Sequence, residues 1–195
     1  MRNHIMLLET ERLILRQYTE GDLHEYFKLL SDKQNMYYLN DIITHTLEEA
    51  RESLKKAIEV NEKGAARRFC VALKGDNKLI GSVGYEIAEI TPLGKIADPM
   101  GWFIMPEYQN KGYITEAAKK TLEFAFLLDN CVRVVTGCFK DNIPTQNVMA
   151  KIGFRKEAEK PESKYHDGVM KDRLEYALNK GEAAALFANW RAAKY

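Results

Sequence analysis

The chain has 195 residues, 46% hydrophobic and 29% charged, and 29 basic against 28 acidic side chains leave a formal net charge of +1. That composition is ordinary for a soluble globular protein, and the chain is long enough to bury a core without disulfide or metal staples. It excludes the broad basic footprint that nucleic acid or an anionic membrane needs, and no apolar run approaches the roughly 18 residues of a membrane-spanning helix. The stretch from Met1 to Glu9 meets a charge too early to read as a signal peptide.

Residues 12–17 (RLILRQ) alternate charged and aliphatic side chains and predict a strand. Thr19, with Asp22 three positions on, is a short-armed variant of the capping box. Leu23, Tyr26, Phe27 and Leu30 then share one helical face. Thr46 and Glu49 repeat the capping signal in full, and Ala50, Leu54, Ala57 and Ile58 carry a second helix to about residue 63, where Gly64 ends it. Residues 68–74 and 78–90 predict an antiparallel pair across Gly75-Asp76-Asn77. Residues 95–105 predict a third strand, irregular near Pro99 and closed by Pro106.

From residue 110 to 128 the pattern is helical, with Ile114, Ala118, Thr121, Ala125 and Leu128 as one stripe that Leu122, Phe124 and Leu127 widen. Residues 132–139 (VRVVTGCF) are β-branched and poor in charge, as an interior strand is. Asn142 caps a short helix with Val148, Met149 and Ile152 inward, and Gly153 stops it. Residues 154–160 and 169–179 predict a last strand pair. Residues 181–195 predict an alanine-rich helix with Leu186 and Trp190 at i, i+4. A mixed sheet with helices on its faces follows.

The three cysteines, Cys70, Cys131 and Cys138, are odd in number and have no C-x-x-C spacing. No disulfide framework is expected, and a reducing cytoplasm is. Cys70 and Cys138 read as core, and Cys131 as a partly exposed turn residue. His4, His24, His45 and His166 have no second ligand at metal spacing, so no metal site is expected.

Chemistry concentrates between Gly101 and Ala117, where a strand ends at Pro106, a polar turn carries Gly112, and a helix begins. The first amides of that helix have no intrahelical acceptor and sit at the positive end of its dipole, where a phosphate can be held. Spacing by itself leaves a plain strand–turn–helix connection equally open. Lys111-Gly112 is in the wrong order for a Walker loop, and Gly81-Ser82-Val83-Gly84 has only the last part of a dinucleotide fingerprint.

Gln109-Asn110-Lys111-Gly112-Tyr113-Ile114 resembles the Q/R-x-x-G-x-G/A loop of the GNAT acetyltransferases. The stretch from Thr10 to Arg16 (TERLILR) and that from Asn142 to Phe154 (NIPTQNVMAKIGF) resemble the T-E-R-L-x-L-R and N-x-x-S-x-x-V-x-x-K-x-G-F motifs of the RimJ/RimL-type branch. The resemblance runs from about residue 8 to 179. It implies a single α/β (α+β) domain over residues 1–180, with a twisted, mostly antiparallel mixed sheet of six to seven strands and helices on both faces. The tail, residues 181–195, lies beyond it.

The resemblance further implies that the domain binds acetyl-CoA and transfers acetyl to an amine. The loop amides from Gln109 through Asn110, Lys111, Gly112, Tyr113 and Ile114 to Thr115 would hold the pyrophosphate. Backbone groups of Phe103, Ile104 and Met105, with Asn142, would hold the pantetheine arm. Asn147 and Lys151 of the later motif fall on the same coenzyme side. Two positions depart from the pattern. Ile114 stands where Gly or Ala is usual, and its side chain is expected to turn into the core. Thr145 replaces the motif's serine and keeps a hydroxyl.

Transfer to an amine needs a base, a donor for the carbonyl oxygen and a donor for the leaving thiolate. An amide near Ile104 suits the oxygen, and Thr145 the sulfur. Glu86 is the first candidate for the base and Asp98 the second, although a strand carboxylate is as readily a solvated face. Glu116 reads as a dipole-stabilising first-turn carboxylate. Lys111 and Lys151 either meet coenzyme phosphates or face water. Tyr37-Tyr38 either wall an acceptor site or form a half-buried pair. Phe187 and Trp190 pack on this chain or on a second copy, as in a homodimer. The expected acceptor is a peptide N-terminus or a small amine. A non-catalytic acyl-CoA-binding or sensing domain is the alternative.

Overall fold

In the computed structural model, which describes residues 7–192, the first hairpin pairs Leu7–Glu9 (β1) with Leu13–Arg16 (β2). β1 was not foreseen, because three residues are too few to show a period. Leu23–Ser31 (α1) follows a 3-10 turn in which the Thr19 N–H donates to Asp22 Oδ2 at 2.8 Å. Leu47–Glu62 (α2) starts at a working cap: the Glu49 N–H donates to Thr46 Oγ1 at 3.1 Å, and Glu49 reaches back to accept from the His45 N–H. Tyr37 and Tyr38, expected in a loop, open a 3-10 segment and meet edge to face at 4.9 Å.

Then come Ala66–Leu73 (β3), Leu79–Thr91 (β4) and Gly94–Ile104 (β5), followed by Tyr113–Leu127 (α3) and Cys131–Phe139 (β6). Ile143–Ile152 (α4), Arg155–His166 (β7), Val169–Asn179 (β8) and Lys180–Ala192 (α5) complete the chain. The strands are hydrogen-bonded in the order β1-β2-β3-β4-β5-β6-β8-β7, an eight-stranded sheet. β5 against β6 is parallel, while β1–β2, β2–β3, β3–β4, β6–β8 and β7–β8 are antiparallel. This is the expected mixed, mostly antiparallel α/β architecture with helices on both faces, with β1 as the strand beyond the expected seven.

The chain forms two compact units, and β4, β5 and α3 each pass from one to the other. The first runs up to Glu86 and takes in Met100–Lys120. Its core gathers Leu23, Tyr26, Leu29 and Leu30 of α1 and Ala50, Leu54 and Ala57 of α2 with Cys70 and Ala72 of β3. Phe69 and Val71, of the opposite parity, are also fully buried, so β3 is covered on both faces.

The second unit comprises Ile87–Pro99 and the chain from Thr121 onward. β6 pairs with β8 from Arg133↔Asn179 to Phe139↔Arg173, and β7 lies outside β8 as an edge strand. The parallel pairing of β5 with β6 runs from Lys95↔Cys131 to Ala97↔Val134 and stops two residues before Pro99, where irregularity was expected.

Several local expectations are corrected. Cys131 is the first residue of β6 and is fully buried, not a partly exposed turn residue. Leu127 and Leu128 are exposed, because Ala125 and Phe126 carry the core face of the last turn of α3 and the helix ends at Leu127. α3 begins at Tyr113, not Asn110, because Asn110 and Gly112 hold positive φ angles of 59° and 80° that no helix allows. β7 runs on to His166; its register slips between Lys160 and Lys164, which accommodates Pro161 on an edge strand. In α5 the buried residues are Ala183 and Phe187; Phe187 packs on this chain's own Phe126 at 6.1 Å and on Trp190 at 5.2 Å.

Candidate active site

The C-terminal end of β5, the turn after it and the first turns of α3 all lie in the first unit. The Met105 N–H donates to the Ile80 carbonyl at 2.8 Å, so Met105 faces β4. The Phe103 carbonyl also lies against β4, close beside Gly81. Backbone groups alternate sides along a strand, so the N–H and C=O of Ile104 point away from β4. Ile104 is therefore the strand residue whose amide is turned outward from this ladder. Phe103 and Met105 instead carry side chains onto the α1–α2 core.

Pro106–Tyr108 forms a 3-10 turn in which the Gln109 N–H donates to the Pro106 carbonyl at 3.2 Å. The amide of Gln109 is thereby engaged within the turn. Its side chain is a brace instead: Nε2 donates to Asn35 Oδ1 at 2.9 Å. Lys111 Nζ donates to the Glu107 carbonyl at 2.8 Å and lies 5.7 Å from the Tyr108 ring. Lys28 Nζ holds the Glu107 carboxylate at 2.7 Å, and that bond keeps Glu107 below the usual carboxylate range.

The Glu116 N–H donates to the Gly112 carbonyl at 3.0 Å, which opens the ladder of α3. The N–H groups of Gly112, Tyr113, Ile114 and Thr115 precede that bond and have no helical carbonyl to reach. Gly112 leaves the turn without a side chain. A carboxylate this close to a helix start suits the dipole but opposes an incoming anion. Burial alone would push Glu116 up. Bonds from Thr10 and from the Arg12 amide and guanidinium outweigh burial and hold it below its ordinary range. The site thus offers four open amides beside a neutralised carboxylate, which fits a diphosphate. Ile114, whose side chain is expected to turn into the core, is half-buried.

Residues 12–155 match the Acetyltransferase (GNAT) domain family, about three quarters of the chain. The chain belongs to the GNAT acetyltransferases. It is 34% identical over 152 residues to the uncharacterized N-acetyltransferase YnaD of Bacillus subtilis strain 168, covering 78% of this chain and 84% of the relative. A crystal structure of a GNAT-family acetyltransferase from Bacillus anthracis superposes with a TM-score of 0.79 at 29% identity, covering 91% of this chain and all of the other. A spermidine N(1)-acetyltransferase of Vibrio cholerae is 27% identical over 161 residues, 83% of this chain and 89% of that one. Membership of the GNAT acetyltransferases brings acetyl-CoA as donor and an amine as acceptor.

The other site residues of this GNAT chain fall as follows. Glu86 is exposed on β4, opposite Ala66 and at the end of the first unit. Asp98 is half-buried on β5 in the second unit. Asn142, Thr145, Asn147 and Lys151 belong to α4 and its cap, also in the second unit. The Thr145 N–H donates to Asn142 Oδ1 at 3.2 Å, so Asn142 caps α4 as expected. Thr145 is half-buried, and its hydroxyl has no hydrogen-bond partner among the described residues. Asn147 and Lys151 are exposed. Among the described residues no group of three His, Cys, Asp or Glu side chains could hold a metal ion. Sequence reasoning gave no role to Arg12, Lys28 or Asn35, which brace the loop. The T-E-R-L motif signalled Arg12; for Lys28 and Asn35 no local pattern did.

Proposed function

We propose that the protein is a RimJ/RimL-type N-acetyltransferase that acts by direct transfer on the α-amine of a peptide or on a similarly acidic small amine. When bound, acetyl-CoA supplies an acetyl group activated as a thioester. The residues of the chain do the rest. The amides of Gly112 to Thr115 receive the diphosphate, and the outward N–H of Ile104 donates to the acetyl oxygen as negative charge gathers there. As the C–S bond breaks, the Thr145 hydroxyl hydrogen-bonds the departing sulfur and relays to it a proton that the attacking amine releases, so that the hydroxyl is restored and CoA leaves as the thiol. Asn142 combines its cap with a contact to the pantetheine arm. Asn147 and Lys151, on exposed turns of α4, serve its polar end.

The acceptor class rests on one observation, the exposure of Glu86. Water competes with the amine for an exposed carboxylate, so the amine itself must be close to deprotonated. An α-amine of pKa ~7.8 is free in roughly one molecule in seven at pH 7, and a lysine amine of pKa ~10.4 in roughly one in 2,500. Deprotonation then costs about 1 kcal/mol for the first and about 4.6 kcal/mol for the second, and positioning can supply the smaller sum.

The test is a panel of a free-N-terminus peptide, an Nα-blocked lysine peptide and spermidine, with CoA release as readout. The peptide N-terminus is expected to lead. A tenfold higher kcat/KM on the lysine side chain or on spermidine rejects the acceptor class. CoA binding without release by any amine favours the sensing domain. Thr145→Ala should lower kcat with little change in acetyl-CoA affinity; an unchanged rate removes Thr145 from the reaction.

A further inference from the structure

Arg12 stands just before β2 and meets the coenzyme turn with its whole guanidinium and its backbone N–H, while its carbonyl accepts from the Lys74 N–H at 3.1 Å. Its Nε donates to Glu116 Oε2 at 2.7 Å, and its backbone N–H donates to Oε1 at 3.0 Å. Nη2 lies 2.7 Å from the same Oε2. Nη1 donates to the Lys111 carbonyl at 3.0 Å, and the guanidinium carbon sits 4.3 Å from the centre of the Tyr113 ring. One side chain therefore grips the turn at Lys111, Tyr113 and Glu116. Lys111 and Glu116 bracket the four open amides, and Tyr113 carries one of them.

Two consequences follow. A trans peptide sets the carbonyl of one residue and the N–H of the next on opposite sides. With the Lys111 oxygen held by Arg12, the Gly112 N–H must point away from Arg12. Gly112 is the residue least able to hold a direction alone, since its φ of 80° is one among many that glycine permits. The second consequence is electrostatic. Without Arg12, the Glu116 carboxylate would stand uncompensated in the first turn of α3 and oppose a diphosphate there.

We infer that Arg12 is a positioning residue for the diphosphate of acetyl-CoA: it aims the Gly112 amide through the Lys111 carbonyl and cancels the charge of Glu116. The inference rests on the reading of this turn as the coenzyme loop. The work requires a fork. A lysine ammonium at position 12 keeps the charge but has no planar pair of donors to span carboxylate and carbonyl together.

The experiment is calorimetric titration of the full chain with coenzyme A and with pantetheine, which keeps the arm and lacks the diphosphate. Wild type is compared with Arg12→Ala and Arg12→Lys. CoA affinity should fall about tenfold or more in Arg12→Ala and about threefold or more in Arg12→Lys, while pantetheine affinity holds. In turnover, kcat/KM for acetyl-CoA should fall by a matching factor carried by KM. If Arg12→Ala does not fold, Arg12→Lys decides. Equal CoA affinity in the folded variants, or equal losses for CoA and pantetheine, overturns the role of Arg12 and leaves the loop reading intact. Wild-type protein that binds no CoA overturns the loop reading itself.

Discussion

Gln109 and Asn35 are joined by a 2.9 Å hydrogen bond from Nε2 to Oδ1, which ties the turn before α3 to the segment after α1. The Asn35 N–H is in turn fixed by Asp32 Oδ1 at 2.9 Å, and Asn35 Nδ2 is buried without a partner. A residue that opens the polar turn before α3 thus also holds a loop of the neighbouring helix pair. Gln109→Ala should cost about 1 kcal/mol, the net worth of one such bond, and lower Tm by about 2–4 °C. Asn35→Ala should cost about the same, and the double variant little more than either. Additive losses in thermal unfolding would show that the two side chains are not coupled.

Arg16 and Asp22 form a forked pair, with Nη1 to Oδ2 at 2.8 Å and Nη2 to Oδ1 at 2.7 Å, and both side chains are largely buried. Burial pushes the Asp22 carboxyl up, but the donors of Arg16 and Thr19 prevail and the net shift is downward. A depressed folded pKa gives stability that is complete above the unfolded value of about 3.9 and is lost as pH falls through the folded one. Asp22→Asn leaves the buried Arg16 unpaired and should cost about 3 kcal/mol at pH 7. Urea unfolding from pH 7 to 2 should show the gap between wild type and variant closing below about pH 4.

Gly81 has no room for a side chain, since a Cβ there would stand 2.7 Å from the Phe103 carbonyl. Gly81→Ala must push β5 outward at the residue preceding Ile104. Such overpacking costs about 1–3 kcal/mol. Because the displaced strand carries the Ile104 amide, kcat should fall in the folded variant even at saturating acetyl-CoA. A variant that is less stable but turns over at the wild-type rate would separate strand packing from the site.

The three thiols are all buried. Burial pushes Cys70 up to about 12 and Cys138 up to about 11, and the thiolate is the reactive form. Native protein at pH 8 should react with a disulfide reagent at far less than one thiol per chain within minutes, and denatured protein at all three. Rapid modification of Cys70 or Cys138 in the native state, located by peptide mapping, would contradict this packing.

Local order was written in the sequence wherever one short segment suffices to specify it. Thr46 with Glu49, Asn142 at its cap, the alternation of β2 and the turn at Gly112 depend on neighbours within four residues, and periodicity and cap chemistry reveal them. The family motifs carried the fold class for the same reason. What the sequence left open was set by partners far along the chain. Asn35 meets Gln109 across 74 positions and Arg12 meets Glu116 across 104, and no local pattern carries such pairings. Cys131 is buried and Leu128 exposed because burial is decided by where a helix stops and a strand starts in the assembled layers, not by the hydrophobicity of the residue. The sequence by itself determined every strand but β1, the main helices, their order and the open amides of the turn at Gly112. Only the tertiary structure decided which side chains steady that turn, because contact between distant residues exists only once the core has closed.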